Sequence, residues 1–196
     1  MSFRKEKKYQ FSYSNLVIFQ NNLFKRGMKE LYVPRIISSC YFDTNDLKMY
    51  HESEEGVLPR KKMRLRWYNN KYPFIKETKI SSIEGRFKYT DSYIEVKDNL
   101  KDSKFFDKEY GNLFPILKVS YTREYYTYNS LRMTFDTKIS YESLKSNVTN
   151  ISYDNECVME IKAPSNCSDD YIDNLVSIPS NRFSKYTRGI QISRLI

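Results

Sequence analysis

Arg60-Lys-Lys-Met-Arg-Leu-Arg-Trp-Tyr68 is the stretch on which the fold turns. Side chains of an extended strand alternate between its two faces, so Arg60, Lys62, Arg64 and Arg66 share one face and Met63, Leu65 and Trp67 the other, with Lys61 out of pattern. The alternation predicts a half-buried β-strand. An outer face in water is the ordinary reason for such a pattern. Four like charges spaced about 6.6 Å apart are tolerable there, but at an effective dielectric of about 20 each pair costs roughly 2 to 3 kcal/mol. Turned inward, the row requires carboxylates or a bound polyanion.

The flanking sequence repeats the theme. Asn69-Asn-Lys71 predicts a tight turn into a second strand, Tyr72 to Ile80, where Glu77 and Lys79 share a face. Arg4, Glu6 and Lys8 share a face near the start of the chain, and Glu160 and Lys162 near its end. A single Glu-x-Lys pair says little, because surface ion pairs are common and contribute little. Three of them, each setting a carboxylate beside an ammonium, suit a cavity in which Lys and Arg take phosphate oxygens and a Glu holds a divalent metal. The chain has five glycines and neither GxxxxGK nor GxGxxG, so a phosphate site here must be made of side chains. Guanidinium forks match phosphate oxygens in pairs and stay charged, which singles out Arg64, Arg66, Arg123 and Arg132.

Strands are also expected at Phe3–Phe11, Phe87–Val96, Pro115–Tyr126, Leu131–Asp136 and Cys157–Ala163, with an extended piece from Pro34 to Phe42. Ser12 or Ser14 would cap a helix reaching about Gly27, Ser168 one reaching Val176, and Ser184 a last one reaching Ile196. Asn129-Ser130 marks a second hairpin turn, and Glu52 to Pro59 reads as a polar loop with His51 just before it. Many antiparallel strands with few helices predict an α+β, mainly β architecture: a closed or nearly closed barrel flanked by helices.

Composition sets the outer limits. With 196 residues, 40% hydrophobic and 29% charged, the chain should fold as one soluble domain over residues 1–196. Its apolar runs are too short to span a bilayer and its start lacks a signal-peptide core, so the expected compartment is the cytoplasm, with no direct membrane insertion. Cys40, Cys157 and Cys167 are odd in number without a CxxC pair, which predicts free thiols. Asn147-Val-Thr and Asn166-Cys-Ser match the glycosylation pattern but mean little without a secretion signal. A net charge of +9 calls for an anionic partner: nucleic acid, an acidic membrane surface or a phosphorylated small molecule.

Taken in order, Arg4-Lys-Glu-Lys-Lys-Tyr9, Tyr41-Phe-Asp-Thr44, Arg60 to Tyr68, Lys76-Glu-Thr-Lys79, Lys88, Tyr121-Thr-Arg123, Arg132-Met-Thr-Phe-Asp136, Val158-Met-Glu-Ile-Lys162 and Phe183-Ser-Lys-Tyr186 resemble the VTC domain of polyphosphate polymerases. That family lies within the CYTH, or triphosphate tunnel metalloenzyme, superfamily. The resemblance implies a closed antiparallel barrel of about eight strands around a basic tunnel. In it the terminal phosphate of ATP would pass to a growing inorganic polyphosphate chain with Mn2+ or Mg2+ bound.

By position, the resemblance implies catalytic roles for Arg64, Arg66, Lys79, Arg123 and Lys162, and phosphate contacts for Lys8, Lys88, Arg132 and Lys185, with Arg60 and Lys62 extending the wall. Glu160 would bind the metal, and Glu77 and Glu6 would hold neighbouring cations with a supporting metal role. Hydrolases and cyclases of the superfamily resemble Glu-x-Glu-x-Lys at the first strand; Arg4 stands where the first Glu would be, which favours the polymerase branch. A tunnel triphosphatase and a non-catalytic polyphosphate sensor are the alternatives. A nucleic acid partner is disfavoured because an enclosed face admits a phosphate chain but no duplex. A membrane-associated partner would serve product export.

Overall fold

The computed structural model describes residues 4–69, 71–94, 100–145 and 150–195. In chain order the elements are β1 (Arg4–Ser12), α1 (Tyr13–Lys25), β2 (Lys29–Asp43), α2 (Lys48–Glu55), β3 (Arg60–Tyr68), β4 (Lys71–Ser82), β5 (Gly85–Ile94), β6 (Phe105–Asp107), β7 (Gly111–Tyr128), β8 (Leu131–Ser143), β9 (Ile151–Tyr153), β10 (Glu156–Pro164), α3 (Asp169–Val176) and α4 (Lys185–Ile192). Two compact units emerge from their contacts. The first is Met1–Arg35, Tyr121–Ile139 and Asp154–Phe183; the second is Ile36–Ser120, Ser140–Tyr153 and Ser184–Ile196.

In the first unit β1 pairs antiparallel with β10, and β10 with β8. Tyr9 and Phe11 of β1, Met133 and Phe135 of β8, and Met159 and Ile161 of β10 alternate inward and meet Leu16 and Leu23 of α1 and Ile172, Leu175 and Val176 of α3 in one apolar cluster. Phe135, Met159 and Ile161 are wholly buried, and each such side chain contributes about 1.5 to 3 kcal/mol. The same alternation leaves Glu6, Lys8, Arg132, Thr134, Glu160 and Lys162 on the other face. Both helices start as their sequences predict. Ser12 accepts from the Asn15 amide, and Ser168 from the Tyr171 amide, with Asp169 and Asp170 at the positive end of α3.

The second unit holds the antiparallel ladders of β2 with β3, β3 with β4 and β4 with β5. Met63, Leu65 and Trp67 pack with Cys40, Phe42, Met49, Phe74 and Leu113, so the apolar half of β3 is buried as its alternation predicts. The three cysteines are free thiols.

Taken along its hydrogen bonds, the strand order is β1-β10-β8-β7-β2-β3-β4-β5, with β6 beside β7 and β9 beside β8. β1 and β5 end the path, and among the described residues no ladder joins them. This corrects the expected closed barrel to an open antiparallel sheet. At β1 the Lys8 carbonyl accepts from the Asn181 amide at 2.9 Å, so a loop occupies part of that edge.

Other local expectations change too. Half of the predicted loop from Glu52 to Pro59 belongs to α2, because the Asp43 carboxylate accepts from the amides of Met49 and Tyr50, each at 2.9 Å, and so holds the helix start. His51 therefore sits on a helix, exposed. β2 begins at Lys29, ahead of Pro34, and α4 stops at Ile192. Asn70 of the first hairpin turn, Asn147, Phe3 at the start of the first strand, and Glu95 and Val96 at the end of the Phe87–Val96 strand lie outside the described residues.

Candidate functional site

In the second unit, one carboxylate is shared by three cations. Glu77 is 2% exposed on β4, directly opposite Arg64 in the ladder. Arg64 donates to Glu77 Oε2 from Nε at 2.7 Å, with Nη2 at 2.5 Å; Arg66 Nη1 lies 3.7 Å from the same oxygen, and Lys88 pairs with Oε1. Burial alone would raise the Glu77 carboxyl, but the charges of Arg64 and Arg66 and the hydrogen bond from Lys88 outweigh it and hold it at about 2. Lys62, Lys79 and Lys88 then stand opposite one another across β3, β4 and β5. Like charges placed directly opposite are destabilising, so this row of lysines favours an anion beside it.

Neighbouring groups extend that arrangement. Tyr41, opposite Arg64 on β2, accepts from Arg64 Nη1 at 2.9 Å. Its burial opposes ionisation, yet Arg64, Arg66 and Lys79 prevail and draw the phenol down to about 7. The Tyr41 ring stacks on Tyr186 of α4 at 5.0 Å, and the Tyr186 hydroxyl donates to Asp43 Oδ2 at 2.5 Å. Burial first, and then the Asp43 charge, push the Tyr186 phenol up. Ser184 caps α4, and Lys62 Nζ donates to its Oγ at 2.9 Å, which places a lysine at the positive end of that helix. Arg60 turns to other work: it donates to the carbonyls of Val57 at 2.9 Å and Gly56 at 3.4 Å. Lys185 is the first residue of α4 and half-buried.

The first unit carries a balanced cluster. Lys162 Nζ lies 3.1 Å from Glu160 and 4.0 Å from Glu6, while Lys8 Nζ lies 3.6 Å from Glu6 and donates to the Phe183 carbonyl at 3.2 Å. Burial would raise the Glu160 carboxyl, but Lys162, Lys8 and Arg123 bring it down. Arg123 forms a two-pronged pair with Asp136, Nε to Oδ1 at 2.5 Å and Nη2 to Oδ2 at 2.6 Å. Burial opposes the Arg123 charge, and Asp136 more than offsets it, so its pKa is raised. Thr134 lies directly opposite Glu160 in the β8–β10 ladder, and among the described residues its buried Oγ1 has no hydrogen-bond partner. Arg132, opposite Lys162, holds its guanidinium over the Tyr32 ring.

Ten of the predicted residues are thus gathered in two sets: Arg64, Arg66, Lys79, Lys88 and Glu77, with Lys62 adjoining; and Lys8, Glu6, Glu160 and Lys162. Arg60, Arg123 and Arg132 contact groups outside these sets, and Lys185 begins α4. Tyr41, Asp43, Asp136 and Tyr186 stood in the quoted motifs without an assigned role, yet each partners or orders a predicted residue or its surroundings. Among the described residues, no three His, Cys, Asp or Glu side chains come together as a metal cage.

The chain matches the VTC domain family over residues 3–194. No curated protein matches it. Among solved structures it is similar to a candidate adenylate cyclase from Vibrio parahaemolyticus, at 14% identity, 97% of this chain and 98% of that chain covered, and a TM-score of 0.52. A conserved protein from Pyrococcus furiosus shares 12% identity, with 94% and 99% covered and a TM-score of 0.56. A candidate adenylyl cyclase from Hippeastrum, described as having a dominant triphosphatase activity, shares 15% identity, with 96% of each chain covered and a TM-score of 0.54. At such identities the likeness establishes the fold, a mainly antiparallel β architecture with few helices. The family match runs through every element that carries the two charged sets, and by it the chain belongs to the VTC domain family.

Proposed function

We propose that this chain is a metal-dependent polyphosphate polymerase that transfers the terminal phosphate of ATP to a growing inorganic polyphosphate chain, acting as one tunnel domain over residues 1–196. The observation that carries the proposal is the gathering of cations around Glu77. Arg64, Arg66 and Lys88 share one buried carboxylate, and Lys62, Lys79 and Lys88 face one another across three strands. A face built this way gains stability when a polyanion lies on it, and phosphoryl transfer asks the protein mainly for alignment and charge neutralisation. Arg64, Arg66 and Lys79 in the second unit, and Arg123 and Lys162 in the first, are the residues we assign to the transferring phosphates. Lys8, Lys88, Lys185, Lys62 and Arg132 would bind chain or nucleotide phosphates, and Arg60 supports the wall from its hydrogen bonds to the preceding loop.

A divalent cation such as Mn2+ or Mg2+ fits the donors present. Glu160 offers a half-buried carboxylate whose ionised form its neighbours favour, and the Thr134 hydroxyl, without a hydrogen-bond partner among the described residues, lies opposite it. Such ions take one or two carboxylates and complete their shell with phosphate oxygens, so a protein cage is not required. Bound there, the metal would neutralise phosphate charge. Glu77 is taken up by Arg64, Arg66 and Lys88 and serves as their counter-ion, and Glu6 holds Lys8 and Lys162.

Hydrolysis is the second reading, favoured by the triphosphatase activity described for the Hippeastrum protein. Arg4 in place of the first carboxylate of the hydrolase motif supports the polymerase instead. Incubation with ATP and Mn2+ followed by gel analysis separates the cases. Long-chain polyphosphate is the expected product. Orthophosphate released from ATP or tripolyphosphate without chain growth would identify a triphosphatase, and metal-independent binding without turnover a sensor. Among the described residues no helix is long and apolar enough to cross a membrane. The proposal places the enzyme in the cytoplasm, with a membrane-associated partner for export of the product.

A further inference from the structure

We propose that the Tyr32 ring is a stacking platform for the purine base of the nucleotide substrate. Tyr32 is 50% exposed on β2 although two side chains hold its ring. Tyr125, itself buried, makes a T-shaped contact with it, with centroids 5.8 Å apart and planes at 82°. Arg132 Cζ stands 5.6 Å from the Tyr32 centroid, and Arg35 Cζ stands 5.9 Å from that of Tyr125. The ring is thereby held between an aromatic contact and a guanidinium, while the residue keeps half of its accessible surface in water.

A flat aromatic surface held in place is what a nucleobase stacks on, at about 1 to 3 kcal/mol per base, and a guanidinium adds attraction of its own. Position ties the platform to phosphate chemistry. Arg132 is directly opposite Lys162 in the β8–β10 ladder, and Lys162 pairs with Glu160. One arginine therefore links the ring to the carboxylate–lysine cluster, as a base must be linked to its triphosphate. Stacking responds to ring area rather than to base edges, so ATP and GTP bind alike and UTP more weakly.

The inference rests on the chain being an ATP user, and its test compares ATP with tripolyphosphate, which has no base. Calorimetric titration of the wild-type chain, Tyr32→Ala and Tyr32→Phe is expected to show about tenfold weaker ATP binding in Tyr32→Ala alone. Tripolyphosphate affinity stays unchanged in all three. An equal loss for both ligands, or no loss for ATP, overturns the platform while leaving phosphate binding in place. A wild-type chain that binds neither ligand overturns the functional proposal and the platform together.

Discussion

Glu77 and Glu160 both sit on charged strand faces, with different surroundings. Glu77 is buried beneath two arginines and a lysine and has little exposed surface of its own. Glu160 shares a more open neighbourhood in which Glu6 and Glu160 alternate with Lys8 and Lys162. The difference separates two tasks that one residue type can perform. A carboxylate locked by guanidinium forks fixes the position of cations, whereas one held by a flexible lysine can exchange that partner for a metal or release it to a phosphate.

The largest effect should come from breaking the locked carboxylate. Glu77→Ala takes from Arg64, Arg66 and Lys88 the carboxylate they share, and urea unfolding should show a loss of about 3 to 5 kcal/mol. Glu160→Gln should cost far less and instead remove the metal dependence of chain synthesis; equal losses in stability would erase the distinction between the two sites. Acid tests the same lock without mutation. Because the folded Glu77 carboxyl is held at about 2, below its ordinary 4.5, its stabilisation is fully present above pH 4.5 and disappears as pH falls toward 2. That amounts to roughly 3 kcal/mol, and a Glu77→Gln variant should lack this part of the acid response. Next in size, Arg66→Ala should reduce polyphosphate synthesis by about 100-fold or more while circular dichroism reports an intact fold, since Arg64 and Lys88 still hold Glu77. Undiminished synthesis would remove Arg66 from the phosphate wall. The smallest signal is spectroscopic. One of the eighteen tyrosines, Tyr41, should ionise at about pH 7 in ultraviolet difference titration, and Tyr41→Phe should abolish that step. Added tripolyphosphate should move the step to higher pH, because it cancels the charges of Arg64, Arg66 and Lys79 that lower it.

Much of this was legible in residue order. The alternation in Arg60–Tyr68 told which side of β3 would be apolar, and Met63, Leu65 and Trp67 lie there. The partner of Arg64 was harder to find. Counting from the Tyr68–Lys71 pair at the hairpin end would set Arg64 opposite Ile75, but the register shifts between Arg66 and Tyr68 and brings Glu77 there instead. A shift of two keeps every side chain on its face, so the pattern survived while the pairing moved. Arg123 offered a better signal. Counting back from the two-residue Asn129-Ser130 turn brings it level with Asp136, and the two are paired. α2 could not be read from Glu52–Pro59, because what holds its start is a carboxylate several residues upstream, Asp43. Tyr32 gave no signal at all, since its surroundings come from Tyr125 and Arg132, remote in the chain.

The lysines aligned across β3, β4 and β5 carry a consequence for the cell rather than for the reaction. An anion that binds the folded chain and not the unfolded one adds RT ln(1 + [L]/Kd), about 2.7 kcal/mol at a hundred times Kd. If that anion is the condensed phosphate of the proposed function, the lifetime of this protein against proteolysis would rise and fall with the surrounding supply of it, so that abundance itself reports on the ligand.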